Sequence, residues 1–345
     1  MSLASALRTG DLTQLPSRRD EDWRWTDLRG LIRTLPPAAL PTVFDEMGPF
    51  NGLGGSEIMI ADGQVVGSGD YVTPGGQDAT LQLRYVATQA SSNPSRFGIT
   101  VREGDSLLLL ESYEALSDGA VTSADIDIIV ETGGTLRRII LAADQASSIT
   151  VSTATVSLAA GARLEQTVLT SGARRQRIET RVAHPGAGAT VRLDGAYLLS
   201  GQRHADLTTV VTHGGVDGTT SQMTKGVVRD QARGVFQGRI VVERGADRTD
   251  ARMGHHALIV SDRAEVDAKP ELLIFADDVS CAHGNTVGAL DEEAIFYAQQ
   301  RGIPADDARA MLTTAFVGEV IDRIDHDGAR DIARAWAAQQ LGTGL

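Results

Sequence analysis

Between about residue 55 and residue 280 the chain is written in short aliphatic runs. Residues 106–110, 126–130, 138–141, 208–212 and 239–243 are rich in Val, Ile, Leu and Thr, and Gly, Asp, Ala and Ser separate them. Few stretches here hold a period of 3.6 residues, so the pattern predicts β-strands rather than helices. A small turn element recurs at Gly104, Gly134, Gly161, Gly188, Gly215 and Gly245, with successive markers 27 or 30 residues apart. A near-constant step with no helix in between predicts coils stacked on one another, a parallel β-helix. A β-sandwich also has short strands and turns, but it does not require that spacing.

The pattern changes after about residue 288. Asp291 followed by Glu292 and Glu293 predicts a capped helix start, with the acidic pair at the positive end of the helix dipole. That helix ends at Arg301-Gly302. Pro304 opens a second helix with the apolar stripe Ala308, Met311, Leu312, Ala315, Phe316, Val320 and Ile324. A third carries Ile332, Ala333, Trp336, Ala337 and Leu341. Residues 1–40 read as a short helical or irregular arm closed by Pro36, Pro37 and Pro41, with Trp23 and Trp25 as packing anchors. The expected organisation is an N-terminal arm over 1–54, a β-helix core over 55–287, and a separate small helical domain over 288–345.

Composition narrows the function. The formal net charge is −13, which opposes contact with nucleic acid or an anionic membrane surface. No apolar run approaches the ~20 residues needed to span a bilayer, and the N-terminus has no secretory h-region. With Cys281 as its single cysteine, the chain forms no internal disulfide, and a reducing cytoplasm is expected. Aromatic residues make up 4% of the chain and glycines number 37, which suits tight turns packed on small aliphatic side chains. The chain contains no phosphate-cradling GxxxxGK[ST] loop, GxSxG elbow, CxxC pair or HExxH. A non-catalytic scaffold is expected.

Cys281 and His283 are two apart and share one face of an extended strand. A thiolate and an imidazole together suit a soft or borderline metal, but iron or zinc normally takes four ligands, so a partner or another segment must complete the set. The plainer reading is a small buried Cys and a surface His. His255 and His256 precede this stretch by close to one coil. Residues one coil apart stack at about 4.8 Å, so one of them is a candidate further ligand; otherwise they are a surface pair. Asp277 and Asp278 add negative charge nearby.

From Lys225 to Phe316 the chain resembles the SufB/SufD family. The pieces are Arg233-Gly234-Val235-Phe236-Gln237-Gly238, Lys269-Pro270-Glu271-Leu272, Ala276-Asp277-Asp278-Val279-Ser280-Cys281-Ala282-His283-Gly284, Thr286-Val287-Gly288 and the stretch from Leu290 to Tyr297. Residues 18–28 are similar to the family's N-terminal box. The Cys281-Ala282-His283-Gly284 stretch is more similar to the SufD branch, because the glutamates that flank the SufB His are missing. Two features depart from the pattern: an abbreviated N-terminal part, and Arg252-Met253-Gly254-His255-His256-Ala257-Leu258 in place of a segment that in the family usually carries an amide residue before the Leu-rich strand. The resemblance implies a right-handed parallel β-helix with helical ends, paired with a SufB-like subunit. It implies a SufC-like ATPase docked on residues 288–345, and iron or a transient iron–sulfur cluster shared with SufB near the C-x-H stretch. It leaves flavin binding open. A homodimer is expected when the chain is alone. The competing readings are a polysaccharide-active β-helix enzyme and a purely structural β-helix protein.

Overall fold

A computed structural model of the chain describes every residue except 41, 43, 67, 68, 77 and 343–345. Pro41, expected at the close of the arm, lies outside the described residues. Among the described residues, two sheets share one stack of coils. One has ten strands in the order β2 (Gln64–Val66), β1 (Ser56–Ala61), β4 (Asp78–Ala87), β6 (Ser106–Ala115), β8 (Thr135–Ala142), β10 (Arg163–Thr170), β12 (Thr190–Leu199), β14 (Thr219–Val228), β16 (Thr249–Ile259) and β18 (Val279–Gly288). The other has eight: β3 (Tyr71–Val72), β5 (Ser92–Val101), β7 (Val121–Val130), β9 (Ile149–Leu158), β11 (Arg175–His184), β13 (His204–His213), β15 (Arg233–Val242) and β17 (Glu265–Ile274). Neighbouring strands run parallel, apart from β1 with β2. This is the parallel β-helix that the repeat predicts.

The turns from the eight-stranded to the ten-stranded sheet stack into a hydrogen-bonded corner. The N–H groups of Gly104, Gly133, Gly161, Gly188, Asp217 and Arg248 donate to the carbonyls of Thr132, Ala160, Ala187, Val216, Asp247 and Asp278 in the next coil. All six donors are left-handed, with φ from +57° to +71°. The marker glycines fall in these turns, but the left-handed residue is Gly133 rather than Gly134, and Asp217 rather than Gly215. Where Arg248 takes the position, its guanidinium holds the Asp217 carboxylate of the previous coil at 2.6 and 2.8 Å. Because the corner accepts any residue that tolerates the left-handed region, the glycine period is degenerate.

The interior is largely aliphatic, and two of its buried polar groupings stand out. Arg138 and Glu111 are both fully buried. The guanidinium donates to the carboxylate at 2.8 and 2.9 Å and to Gln166 at 2.9 Å, and the Tyr113 hydroxyl adds a 2.5 Å bond to Glu111. Elsewhere, His184 and His213 stack edge to face at 4.0 Å, next to Val242 of the following coil. Burial pushes His184 down to about 4, and burial with the charge of His184 pushes His213 down to about 3.

Both outer faces are partly covered. The arm, with α1 (Leu3–Thr9), lays Leu3, Ala6, Leu15 and Leu28 on Val121, Ile149 and Val151. It then crosses the later coils. Trp23 sits 4.4 Å over the Arg177 guanidinium, the Asp22 carbonyl accepts from Arg177 and Gln237, and Thr26 donates to Asp206. On the ten-stranded sheet, α3 (Ala305–Ile321) and α4 (Asp327–Leu341) bury Val317, Val320, Ile321, Ala333 and Trp336 against Leu108, Leu110, Ile139, Leu141, Leu198 and Val227. Residues 107–110 therefore read as an unbroken apolar run because both faces of β6 are covered. The Lys225–Glu319 ion pair (2.6 Å) and the Arg323–Asp194 pair (3.0 Å) tie helix to sheet. Much of the apolar side of α3 is thus spent on the solenoid. What stays exposed is Met311 on α3, with Phe296 and Tyr297 on α2 (Glu292–Gln300).

Two stability predictions follow from the interior. Arg138→Met leaves Glu111 buried and unpaired, at a cost of about 3–5 kcal/mol, whereas Arg138→Met with Glu111→Leu stays within ~1 kcal/mol of the parent. Urea unfolding measures both; equal losses in the single and double variants would show that shape, not charge, governs the site. The two stacked histidines are held neutral in the fold, so above about pH 6.5 their contribution is complete. As pH falls from there toward about 4, the unfolded chain binds protons that the folded chain refuses, and stability drops by up to about 1.4 kcal/mol per pH unit for each. In His184→Leu/His213→Leu the decline between about pH 6 and 4.5 becomes shallower by that slope. An unchanged pH profile would contradict it.

Candidate functional site

The solenoid ends on β17 and β18, each the last strand of its sheet. Each is paired on one side, and its other edge of N–H and C=O groups faces outward. The inward side of this coil is uncovered as well. Parallel register places Cys281, His283 and Asn285 beside Ala251, Met253 and His255 of β16, all pointing to the solenoid interior. In β16 those positions are buried; in β18 Cys281 is half-buried and His283 and Asn285 are exposed. Cys281 packs at the rim of the Phe236–Ile240–Met253 cluster. The neighbouring edge carries exposed Leu273, Ile274, Phe275 and Val287, Phe275 being 58% exposed.

Cys281 and His283 therefore do share a face, at an open mouth. Burial raises the Cys281 thiol above its ordinary range, a backbone hydrogen bond from Ala251 works against this, and the charge of Asp250 adds to it. The thiol is protonated at neutral pH, so a metal binding there must displace a proton. Among the described residues, no three His, Cys, Asp or Glu side chains converge on a metal-sized site. Asp277 and Asp278 are exposed in the turn before β18, where the Asp278 carbonyl closes the corner ladder with Arg248.

His255 and His256 do not stack beside the C-x-H stretch. The step at this coil is 30 residues, which places His255 against Asn285 and His256 against Thr286. His256 bonds Thr286 at 2.7 Å. His255 is fully buried, with its ring parallel to Phe236 at 4.7 Å, and it bridges the Tyr197 hydroxyl (2.8 Å) and Asn285 Oδ1 (2.7 Å). Burial pushes it down to about 4. Asn285 and Tyr197 escaped the sequence reading. The alternation Cys281-x-His283-x-Asn285 signals the first; the second lies two coils away and no local pattern marks it.

The likeness to known proteins covers this end of the molecule. The family model for the SUF system FeS cluster assembly, SufBD core domain, matches residues 84–316, from β4 into α3. The iron–sulfur cluster assembly protein SufD of Escherichia coli is 42% identical over 123 residues, 36% of this chain and 29% of that protein. A SufBD family protein of Synechocystis is 40% identical over 107 residues, 31% of this chain and 24% of its own length. The chain thus matches less than a third of the length of these two relatives. A SufBD family iron–sulfur cluster assembly protein of Mycobacterium leprae aligns over 91% of this chain and 87% of its own length at 24% identity. Among the described residues, no helix is long and apolar enough to cross a membrane. With a family model spanning most of the solenoid and its open end, the chain belongs to the SufBD family of iron–sulfur cluster assembly proteins.

Proposed function

We propose that this chain is a SufD-like, non-catalytic scaffold subunit working in the cytoplasm. Through the open edges of β17 and β18 it pairs with a SufB-like homologous subunit, and when alone it pairs with a second copy. Iron and a transient cluster are its cargo, held at the junction by Cys281 and His283 together with groups from the partner. One observation carries the reading: two metal-competent side chains lie on an uncovered inward face, bounded by unpaired strand edges and exposed apolar residues. A coil in that state gains most from a partner that continues the sheets and covers the mouth.

Residues 288–345 are proposed to dock a SufC-like ATPase. The surface left for it is Phe296, Tyr297 and Met311, because the remaining apolar face of α3 is packed on the sheet. Deleting the helices would uncover the leucines and valines of the ten-stranded sheet, so point variants make the cleaner test.

Co-expression with the homologous subunit and the ATPase tests both parts. Cys281→Ser and His283→Ala should lower the iron and sulfide retained by the purified complex severalfold, more for His283, without loss of either partner. Phe296→Asp/Met311→Asp should lower ATPase recovery about tenfold while the homologous subunit still co-purifies, as expected for removing apolar anchors worth ~1.4 kcal/mol or more. Full cluster content in both Cys281→Ser and His283→Ala would leave the chain a purely architectural subunit. Unchanged ATPase recovery would remove the helices from the docking surface.

A further inference from the structure

The chain Tyr197–His255–Asn285, buried at Tyr197 and His255 and open at Asn285, has a direction fixed by its hydrogen bonds. The Tyr197 hydroxyl lies in the apolar interior, and His255 Nε2 is its hydrogen-bond partner among the described residues, at 2.8 Å. A buried hydroxyl that only accepted would leave its own proton unmatched, at a cost of ~1–3 kcal/mol. The hydroxyl therefore donates to Nε2. A neutral imidazole that accepts at Nε2 carries its proton on Nδ1. Nδ1–H then donates to Asn285 Oδ1 at 2.7 Å. The Asn285 amide is held by its oxygen, and its NH₂ group is left to face the mouth. Stacking on Phe236 at 4.7 Å, with rings 3° from parallel, keeps the imidazole from turning.

We propose that Asn285 is a third group of the terminal-coil site, a hydrogen-bond donor to anionic sulfur, and that His255 and Tyr197 are positioning residues acting through it. This rests on the reading of Cys281 and His283 given above. The three side chains stand on alternate residues of one strand face, so the amide NH₂ lies on the same side as the thiol and imidazole. An amide NH₂ has no lone pair to offer a cation, but it donates to a sulfide or thiolate. The site thus separates its tasks: Cys281 and His283 take iron, and Asn285 takes sulfide. His255, a candidate ligand by sequence, is behind the site rather than in it.

The first test uses the full chain alone. Nitrogen-15 spectra of its histidines should show His255 protonated at Nδ1 and bare at Nε2, and Tyr197→Phe should populate the opposite tautomer. A wild-type His255 protonated at Nε2 overturns the proposal. The second test loads the complex with ferrous iron and sulfide. Asn285→Leu and Asn285→Asp should both lower retained sulfide about tenfold, the loss expected for one hydrogen bond to a charged group; thermal stability holds in the Asp variant and falls somewhat in the Leu variant, which strips His255 Nδ1–H of its acceptor. Asp keeps the bond to His255 but replaces the donor with a carboxylate, and Leu removes the donor without adding charge, so a loss shared by both assigns the effect to the missing donor. Resonance Raman should show shifted Fe–S stretches in what cluster remains. If Cys281→Ser and His283→Ala lose iron while both Asn285 variants hold sulfide normally, this inference fails and the reading of the site stands. If all four variants retain full iron and sulfide, the reading fails and takes the inference with it.

Discussion

In a parallel solenoid each coil satisfies its backbone against the coil before it and the coil after it. The last coil has one neighbour. Here that coil is β17 and β18, and the constraint exposes three things together: an edge of unpaired N–H and C=O groups, side chains that every earlier coil would bury, and apolar residues such as Leu273, Ile274 and Phe275. The first coils differ, because an antiparallel turn with β2 and the arm that bridges Ala38 to Ser92 occupy that end. The molecule is therefore polar in the architectural sense, with one dressed end and one open end, and the metal-competent residues are at the open one.

The same stacking explains why so many charges are tolerated inside. A side chain in the solenoid meets its counterparts from the coils on either side, so a buried guanidinium finds its carboxylate one coil away rather than along its own strand. Arg138 with Glu111 follows this rule, and Arg177 combines Asp206 of the next coil with Glu179 of its own strand. Where a coil supplies no ionic partner, as at His184 and His213, the groups are held neutral by burial. His255 is held neutral in the same way, and its position one coil beneath the mouth turns a structural residue into support for Asn285.

The sequence made the strands, the coil repeat and the three C-terminal helices legible, because each is a local pattern. Asp291 caps α2 through Glu293 and Ala294 as expected, and Gly302 is left-handed past its end. Pairing Cys281 with His283 on one face needed only the two-residue period of a strand. What failed was register. The glycine markers averaged over coils, but the connection from β16 to β18 is longer, and a step of 30 rather than 27 moves His256 from His283 to Thr286 and sets His255 against Asn285. The stripe of α3 was legible as a stripe, but a stripe does not name its partner, and it faces the sheet rather than standing as part of a free domain. The path of the arm was hidden for a similar reason: contacts such as Trp23 over Arg177 join residues far apart in the chain, with no local signal at either end.

The central claim is that the uncovered terminal coil is where this chain meets its partner and completes its site. Amide hydrogen exchange, read by mass spectrometry on the chain alone and after binding the SufB-like subunit, addresses it directly. The account predicts strong new protection across residues 265–288, where strand edges become paired, and little change across β4 to β12. Protection confined to the arm or to the C-terminal helices, with residues 265–288 still exchanging freely, would contradict it.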